Sequence, residues 1–231
     1  MRLKATDVAR MIDLSCVRTT SSKRDIEAMI AAARQQGFGQ VSVLQSMVPF
    51  TRHLLGDERE IRLVGNVGFP SGSESTSVKL AQAKELVAAG CDEIDMVMNV
   101  GLLRSGEFGM VEDDARAVIA AVQPLPAKII IESMLLRRDE IQAACEICIH
   151  AGAAFVKTGS GWAERPTTVN EVRQIKTFVG DHIKIKASGG IRSLATLRDM
   201  YGAGAQRFGV NLKSGIEIIR EATRLESGVE V

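Results

Sequence analysis

The sequence has 231 residues, 29 basic and 28 acidic side chains for a net charge of +1, and 45% hydrophobic against 25% charged residues. That balance, with no basic run longer than a pair, lacks the electrostatic footprint of a nucleic-acid or anionic-membrane binder and the composition of a disordered chain. Unbroken apolar runs reach six residues, as from Ala117 to Val122, against the roughly 18 a membrane span needs, and the first residues lack the apolar core of a secretory signal, so a cytoplasmic enzyme or binding protein is expected.

In chain order, a short N-terminal helix leads into a first strand over 11–14. Further short, β-branched strands are predicted over 40–44, 62–69, 93–99, 128–134, 154–159, 183–188 and 206–212, eight in all. Segments of helical period separate them. The helix over 76–89 should turn Leu80, Ala83 and Val87 inward, and that over 169–179 should turn Val169, Val172 and Ile175 inward. Thr168 with Glu171 three residues on reads as a capping box. Between the fifth and sixth strands Cys145 and Cys148 form a C-x-x-C. They share a helical face with Ile141 and Ala144, which favours core packing over redox or metal chemistry. Cys16 and Cys91 are read the same way, and His53, His150 and His182 are too dispersed to complete a zinc set.

Gly37, Gly90, Gly152 and Gly204 each end a helix and precede the second, fourth, sixth and eighth strands. Five residues beyond them stand Ser42, Asp95, Lys157 and Gly209, at equivalent positions on alternate strands. In an eight-stranded barrel alternate strands feed a common layer, so Asp95 and Lys157 should point into one mouth. This register, the absence of a Gly-x-Gly-x-x-Gly after the first strand and the lack of any linker favour a single (β/α)8 barrel domain over residues 1–231 rather than an open doubly wound sheet.

Parallel strands covered on both faces should be apolar, so their ionisable groups need a reason. Asp13 lies on the first strand, Asp95 on the fourth, Lys157 near the end of the sixth, and Lys184 and Lys186 on the seventh, both directed inward. Buried ion pairing with Asp95, Asp13 and Glu132 would account for the charges, but not for their place at strand C-termini, where barrel active sites are built. Two lysines and an aspartate suggest amine catalysis. A free lysine of pKa near 10.4 is only about 0.04% neutral at pH 7. Lowering it by about three units takes roughly 4 kcal/mol, which one ammonium at ~4 Å nearly supplies at an effective dielectric of about 20. Lys157 is therefore assigned as nucleophile, Lys186 as the cation that depresses its pKa, and Asp95 as a proton shuttle through water. Spacing alone permits the two lysines to exchange roles.

The loop Ser188-Gly189-Gly190-Ile191-Arg192, and Gly209 to Gly215 after the eighth strand, sit where barrel phosphate sites occur, so a phosphorylated substrate is expected. Gly68-Phe69-Pro70-Ser71-Gly72 is either a tight turn or part of the mouth's rim.

These residues resemble the deoxyribose-phosphate aldolases, class I Schiff-base enzymes on a (β/α)8 barrel, along nearly the whole chain. The likeness rests on Gly68-Phe69-Pro70, on Glu93-Ile94-Asp95-Met96-Val97-Met98-Asn99, on Val156-Lys157-Thr158 with Gly161, and on Lys184 to Arg192. It implies Lys157 as the Schiff-base lysine, Lys186 as its electrostatic partner and Asp95 in the proton relay. Asp13, Thr158, Gly161, Ser188, Gly189, Gly190, Gly209, Lys213 and Ser214 would contact the substrate or its phosphate. The implied reaction is reversible cleavage of 2-deoxy-D-ribose 5-phosphate into D-glyceraldehyde 3-phosphate and acetaldehyde, in deoxyribonucleotide catabolism, with neither metal nor organic cofactor, by a homodimer or larger homo-oligomer.

The chain departs from the family pattern in four places. Asp13-Leu14-Ser15 replaces Asp-His-Thr, and Ser42-Val43-Leu44-Gln45 replaces Cys-Val-Asn-Pro. Thr158-Gly159-Ser160-Gly161-Trp162 replaces Thr-Ser-Thr-Gly-Phe, and the last glycine loop is longer by two. Lys213 either supplies phosphate charge or is a solvated residue opening the last helix. Trp162 is either the family's aromatic in bulkier form or an interface residue. Two competing readings follow: a related lysine aldolase acting on another sugar phosphate, and a catalytically silent barrel that binds sugar phosphate or a protein partner. The intact Asp95, Lys157 and Lys186 argue against silence, because unused buried charges are costly.

Overall fold

Alternating β-branched strands and amphipathic helices have one economical closure, a cylinder of strands inside a ring of helices. In the computed structural model, which describes residues 2–225 and 229–230, eight parallel strands close in that way. They are β1 (Ile12–Cys16), β2 (Gln40–Val43), β3 (Arg62–Val67), β4 (Glu93–Val97), β5 (Ala127–Ile130), β6 (Phe155–Lys157), β7 (Lys184–Ser188) and β8 (Arg207–Asn211). Pairing of β8 with β1, Asp13 opposite Gly209, completes the ring. Each strand leads into at least one helix, and the expected short helix, Ala5–Arg10, precedes β1. A two-residue antiparallel pair, Arg2–Leu3 with Val229–Glu230, joins the chain ends.

All eight predicted strands are present; the first runs two residues further, to Cys16, and the other seven are shorter than expected. The third stops at Val67 because Gly68 takes φ +63°. The fifth stops at Ile130, since Glu132 is left-handed (φ 50°) and Ser133–Leu135 forms a 3-10 turn. Gly37, Gly90, Gly152 and Gly204 all have positive φ, as a helix-ending glycine should. Each stands three residues before its strand, which brings the even strands into register.

The capping box of Thr168 and Glu171 opens helix Val169–Val179, with Val172, Ile175 and Val179 buried and Val169 half-buried. Ile141, Ala144, Cys145 and Cys148 are all buried, so the C-x-x-C is core, and burial pushes the Cys145 thiol up to about 12. One helical face differs from expectation. Helix Thr76–Ala88 buries Lys79, Ala83 and Leu86, while Val87 is exposed. Lys79 is tolerated inside because Asp114, on helix Phe108–Val122, meets its ammonium at 2.6 Å and the Val97 carbonyl accepts from it at 3.1 Å.

Candidate active site

The inward positions of the barrel carry charge at two depths. In the upper layer Asp95 is the hub: Lys157 Nζ donates to its Oδ2 at 2.7 Å and Lys186 Nζ donates to the same oxygen at 2.9 Å. Lys186 also meets Asp13 Oδ2 at 2.5 Å, and Asp13 Oδ1 lies 3.3 Å from Arg207 Nη1. The strands dictate this meeting. Lys157 stands opposite Lys186 in the β6–β7 ladder, and Asp95 occupies the equivalent inward position two strands back. A lower layer was not anticipated from sequence. Lys128 Nζ reaches Asp95 Oδ1 at 2.9 Å and Glu93 Oε2 at 2.5 Å, and Glu93 Oε1 pairs with Arg62 at 2.7 Å.

Each ammonium in this stack has a carboxylate, which is what lets so many charges stay out of water. The partition is uneven. For Asp95, complete burial works to raise the pKa, but Lys128, Lys157 and Lys186 outweigh it and hold the carboxyl well below its ordinary value. Lys186 is raised above its ordinary value, since Asp13 and Asp95 together overcome the opposing effect of burial. Lys157 moves the other way, down to about 8. Burial is the largest cause; Asp95 opposes it, and the ammonium groups of Lys186 and Lys128 reinforce it. The expectation that one neighbouring cation nearly suffices is therefore corrected, because removal from water does more than Lys186 does. Asp95 touches Lys157 directly.

Two further expectations change. Lys184 shares the inward parity of Lys186 but stands at the exposed N-terminal start of β7, its ammonium 5.7 Å from the Phe155 ring centroid. Glu132 pairs with neither lysine. Its Oε1 accepts from the Ser160 backbone N–H, and burial raises its pKa.

A cleft opens above the upper layer at the C-terminal ends of the strands. Of the residues singled out from sequence, Asp13, Lys157, Gly161, Lys186, Ser188, Gly189, Gly190 and Gly209 line it, and Asp95 lies directly beneath. Thr158 does not line it: its buried hydroxyl donates to the Ser188 carbonyl and accepts from the Ser188 N–H, both at 2.9 Å, tying β6 to β7. Lys213 and Ser214 are outside the lining as well. Lys213 is exposed on helix Leu212–Thr223, and Ser214 N–H is capped by Asn211 Oδ1 at 2.8 Å.

Ser15, Arg18, Ser42 and Asn66 line the cleft without having been named as site residues, and Phe69, Arg192 and Asn211 line it from the loops expected at the mouth. Ser42 was legible as the β2 equivalent of Asp95, and Asn66 as an inward amide in an apolar strand; it donates to Ser42 Oγ at 3.0 Å and to the Val43 carbonyl at 2.9 Å. Nothing in the sequence signals Arg18. The Gly68–Gly72 segment proves to be both a tight turn and part of the rim, with Phe69 edge-on to Trp162 at 6.2 Å between centroids. Trp162 belongs to the rim too, its indole N–H donating to the Val17 carbonyl at 3.0 Å.

An amine with a loosened proton, a fixed cation beside it and a carboxylate between them lie at the floor of a cleft in a (β/α)8 barrel, an arrangement able to support amine chemistry on a carbonyl. Comparison with known proteins agrees. The model of the DeoC/LacD family aldolases matches residues 8–221. A curated deoxyribose-phosphate aldolase of Rhizobium meliloti (strain 1021) is 40% identical over 226 residues, covering 98% of this chain and 91% of the relative. A solved structure described as QR15, an aldolase, is 36% identical with a TM-score of 0.87, covering 93% of this chain and 95% of that one. The tetrameric deoxyribose phosphate aldolase of Aeropyrum pernix, at 24% identity, shares the fold with a TM-score of 0.88 over 95% of this chain and 93% of its own. The chain belongs to the DeoC/LacD aldolase family.

Proposed function

We propose that this protein reversibly cleaves 2-deoxy-D-ribose 5-phosphate to D-glyceraldehyde 3-phosphate and acetaldehyde through an imine on Lys157. The observation that carries the reading is the sharing of one Asp95 oxygen by Lys157 and Lys186, with Lys157 brought down to about 8 at the cleft floor. At that value roughly a tenth of Lys157 is neutral at pH 7. Its Nζ adds to the C1 carbonyl, water leaves, and the protonated imine accepts the electron pair of the C2–C3 bond as that bond breaks and the C3 hydroxyl loses its proton. The enamine left on Lys157 is protonated at C2, and hydrolysis returns the amine and releases acetaldehyde. Lys186 remains charged throughout, and Asp95 holds both nitrogens in place and relays protons at Lys157.

Coupled assay of glyceraldehyde 3-phosphate release tests this directly. The wild type turns over deoxyribose 5-phosphate, and Lys157→Met abolishes turnover while keeping the fold; undiminished turnover by that variant would overturn the assignment. The curated relative's name supports deoxyribose 5-phosphate over another sugar phosphate. The same reading takes residues 1–231 as one catalytic domain, supported by closure of the barrel between its first and last strands. It also takes the protein as cytoplasmic, supported by four buried free thiols and by the lack, among the described residues, of a helix long and apolar enough to cross a membrane. Self-association, at least to a homodimer, belongs to it as well.

A further inference from the structure

A phosphorylated substrate brings a dianion to the rim, and Lys213, one candidate for the answering charge, lies outside the cleft. The cations that do line the cleft, besides the two at its floor, are Arg18 and Arg192. Arg192 follows the glycine turn of the β7 loop. Arg18 comes from the β1 loop and is held by neutral groups. Its Nη2 donates to the Gly161 carbonyl at 2.7 Å, and its guanidinium carbon lies 5.5 Å from the Trp162 ring centroid. Trp162 is itself fixed by the bond from its indole N–H to the Val17 carbonyl, next in chain to Arg18. Among the described residues no carboxylate pairs with Arg18, so its charge is uncommitted. The neighbourhood is defined from the other side too: Gly161 Cα comes within 3.9 Å of where a side chain on Gly189 would begin.

We propose that Arg18, stacked on Trp162 and tethered to Gly161, binds the substrate's phosphoryl group and sets this enzyme's preference for phosphorylated over unphosphorylated sugars. The inference rests on the proposed substrate for its kinetic consequence, and on the cleft alone for its binding consequence. Two of the guanidinium's five donors suffice for a bidentate grip on phosphate while a third keeps the Gly161 carbonyl. The aromatic face beneath restricts the side chain before substrate arrives, which lowers the ordering cost of binding. The glycine turn at 189–190, with φ of 101° and 85°, lines the same cleft without side chains of its own.

The test compares Arg18→Met and Arg18→Lys with the wild type on 2-deoxyribose 5-phosphate and on 2-deoxyribose. Arg18→Met should lose about ten- to a hundredfold in kcat/KM for the phosphorylated sugar, the range for one charged hydrogen-bonding partner. The loss should fall mainly in KM, leave 2-deoxyribose unchanged, and be partly restored by Arg18→Lys. Equal losses on both sugars, or none on the phosphorylated one, would overturn the proposal. Binding is read independently of turnover. Trp162 is the only tryptophan in the chain, so its fluorescence reports on the Arg18 site when inorganic phosphate is titrated. The wild type should show a saturable change that Arg18→Met loses; no saturable change in the wild type, or an unaltered one in the variant, also overturns it. A wild type that binds phosphate through Arg18 yet turns over neither sugar would instead sink the aldolase reading, and the specificity role with it, and leave the phosphate site standing.

Discussion

Lys157 and Lys186 are the same residue type in adjacent strands, yet they are pushed in opposite directions by their partners. Lys186 has two carboxylates within 3 Å, whereas Lys157 shares one of them and faces the cleft. The sign for activity follows. Lys157 must be neutral to attack, so kcat/KM should rise with pH through about 8 and level off above it. In Lys186→Met a cation that lowers Lys157 is gone and Asp95 is left to Lys157 and Lys128, so the rising limb should move to higher pH. Activity at pH 7 should fall at least about tenfold, in proportion to the smaller neutral fraction. Because burial remains, the limb should stop short of the pH of a free lysine; a profile identical to wild type would show that burial alone tunes the amine. Asp95→Asn tests the hub, since it leaves three buried ammonium groups without their shared counter-charge. A loss of about 3–5 kcal/mol in denaturant unfolding at pH 7 is expected, and a loss below about 1 kcal/mol would mean that water enters the layer.

Turns and caps at the element scale decide where those side chains are delivered. Gly72 has φ +70°, and a side chain there would collide with the Met98 carbonyl. Gly72→Ala should therefore cost about 1–3 kcal/mol and raise KM by displacing the Phe69 wall; unchanged melting and KM would show the turn to be slack. Thr168→Ala removes a cap on the outer ring, and should cost about 1 kcal/mol with turnover unaltered. The strands and their even-numbered register were legible because four helix-ending glycines repeat at fixed distance from them. What period two cannot give is depth. It places Lys184, Lys186 and Lys128 on inward positions alike, but Lys184 starts its strand in solvent, and Lys128 opens a stretch that reads as a strand edge although Ala127 already pairs. The inward turn of Lys79 was hidden for another reason, since its partner Asp114 comes from a helix thirty-odd residues on and no local pattern connects them.

For the whole molecule, closure of the barrel converts separate strand positions into a single charged layer with one open side. The floor of the site was readable because charge inside a parallel strand is costly and therefore conspicuous. The rim was readable only in part, since the Phe69 turn and Trp162 stood out as candidates, whereas Arg18 joins them from a third loop and their meeting is decided by the completed ring. The central claim is that Lys157, and no other lysine, forms the imine. Incubation with acetaldehyde and borohydride, followed by digestion and mass mapping, reads it most directly. A two-carbon ethyl adduct confined to the peptide bearing Lys157, formed faster as pH rises towards 8, is the predicted result; stoichiometric reduction that leaves Lys157 unmodified, or that marks Lys186 instead, would contradict it.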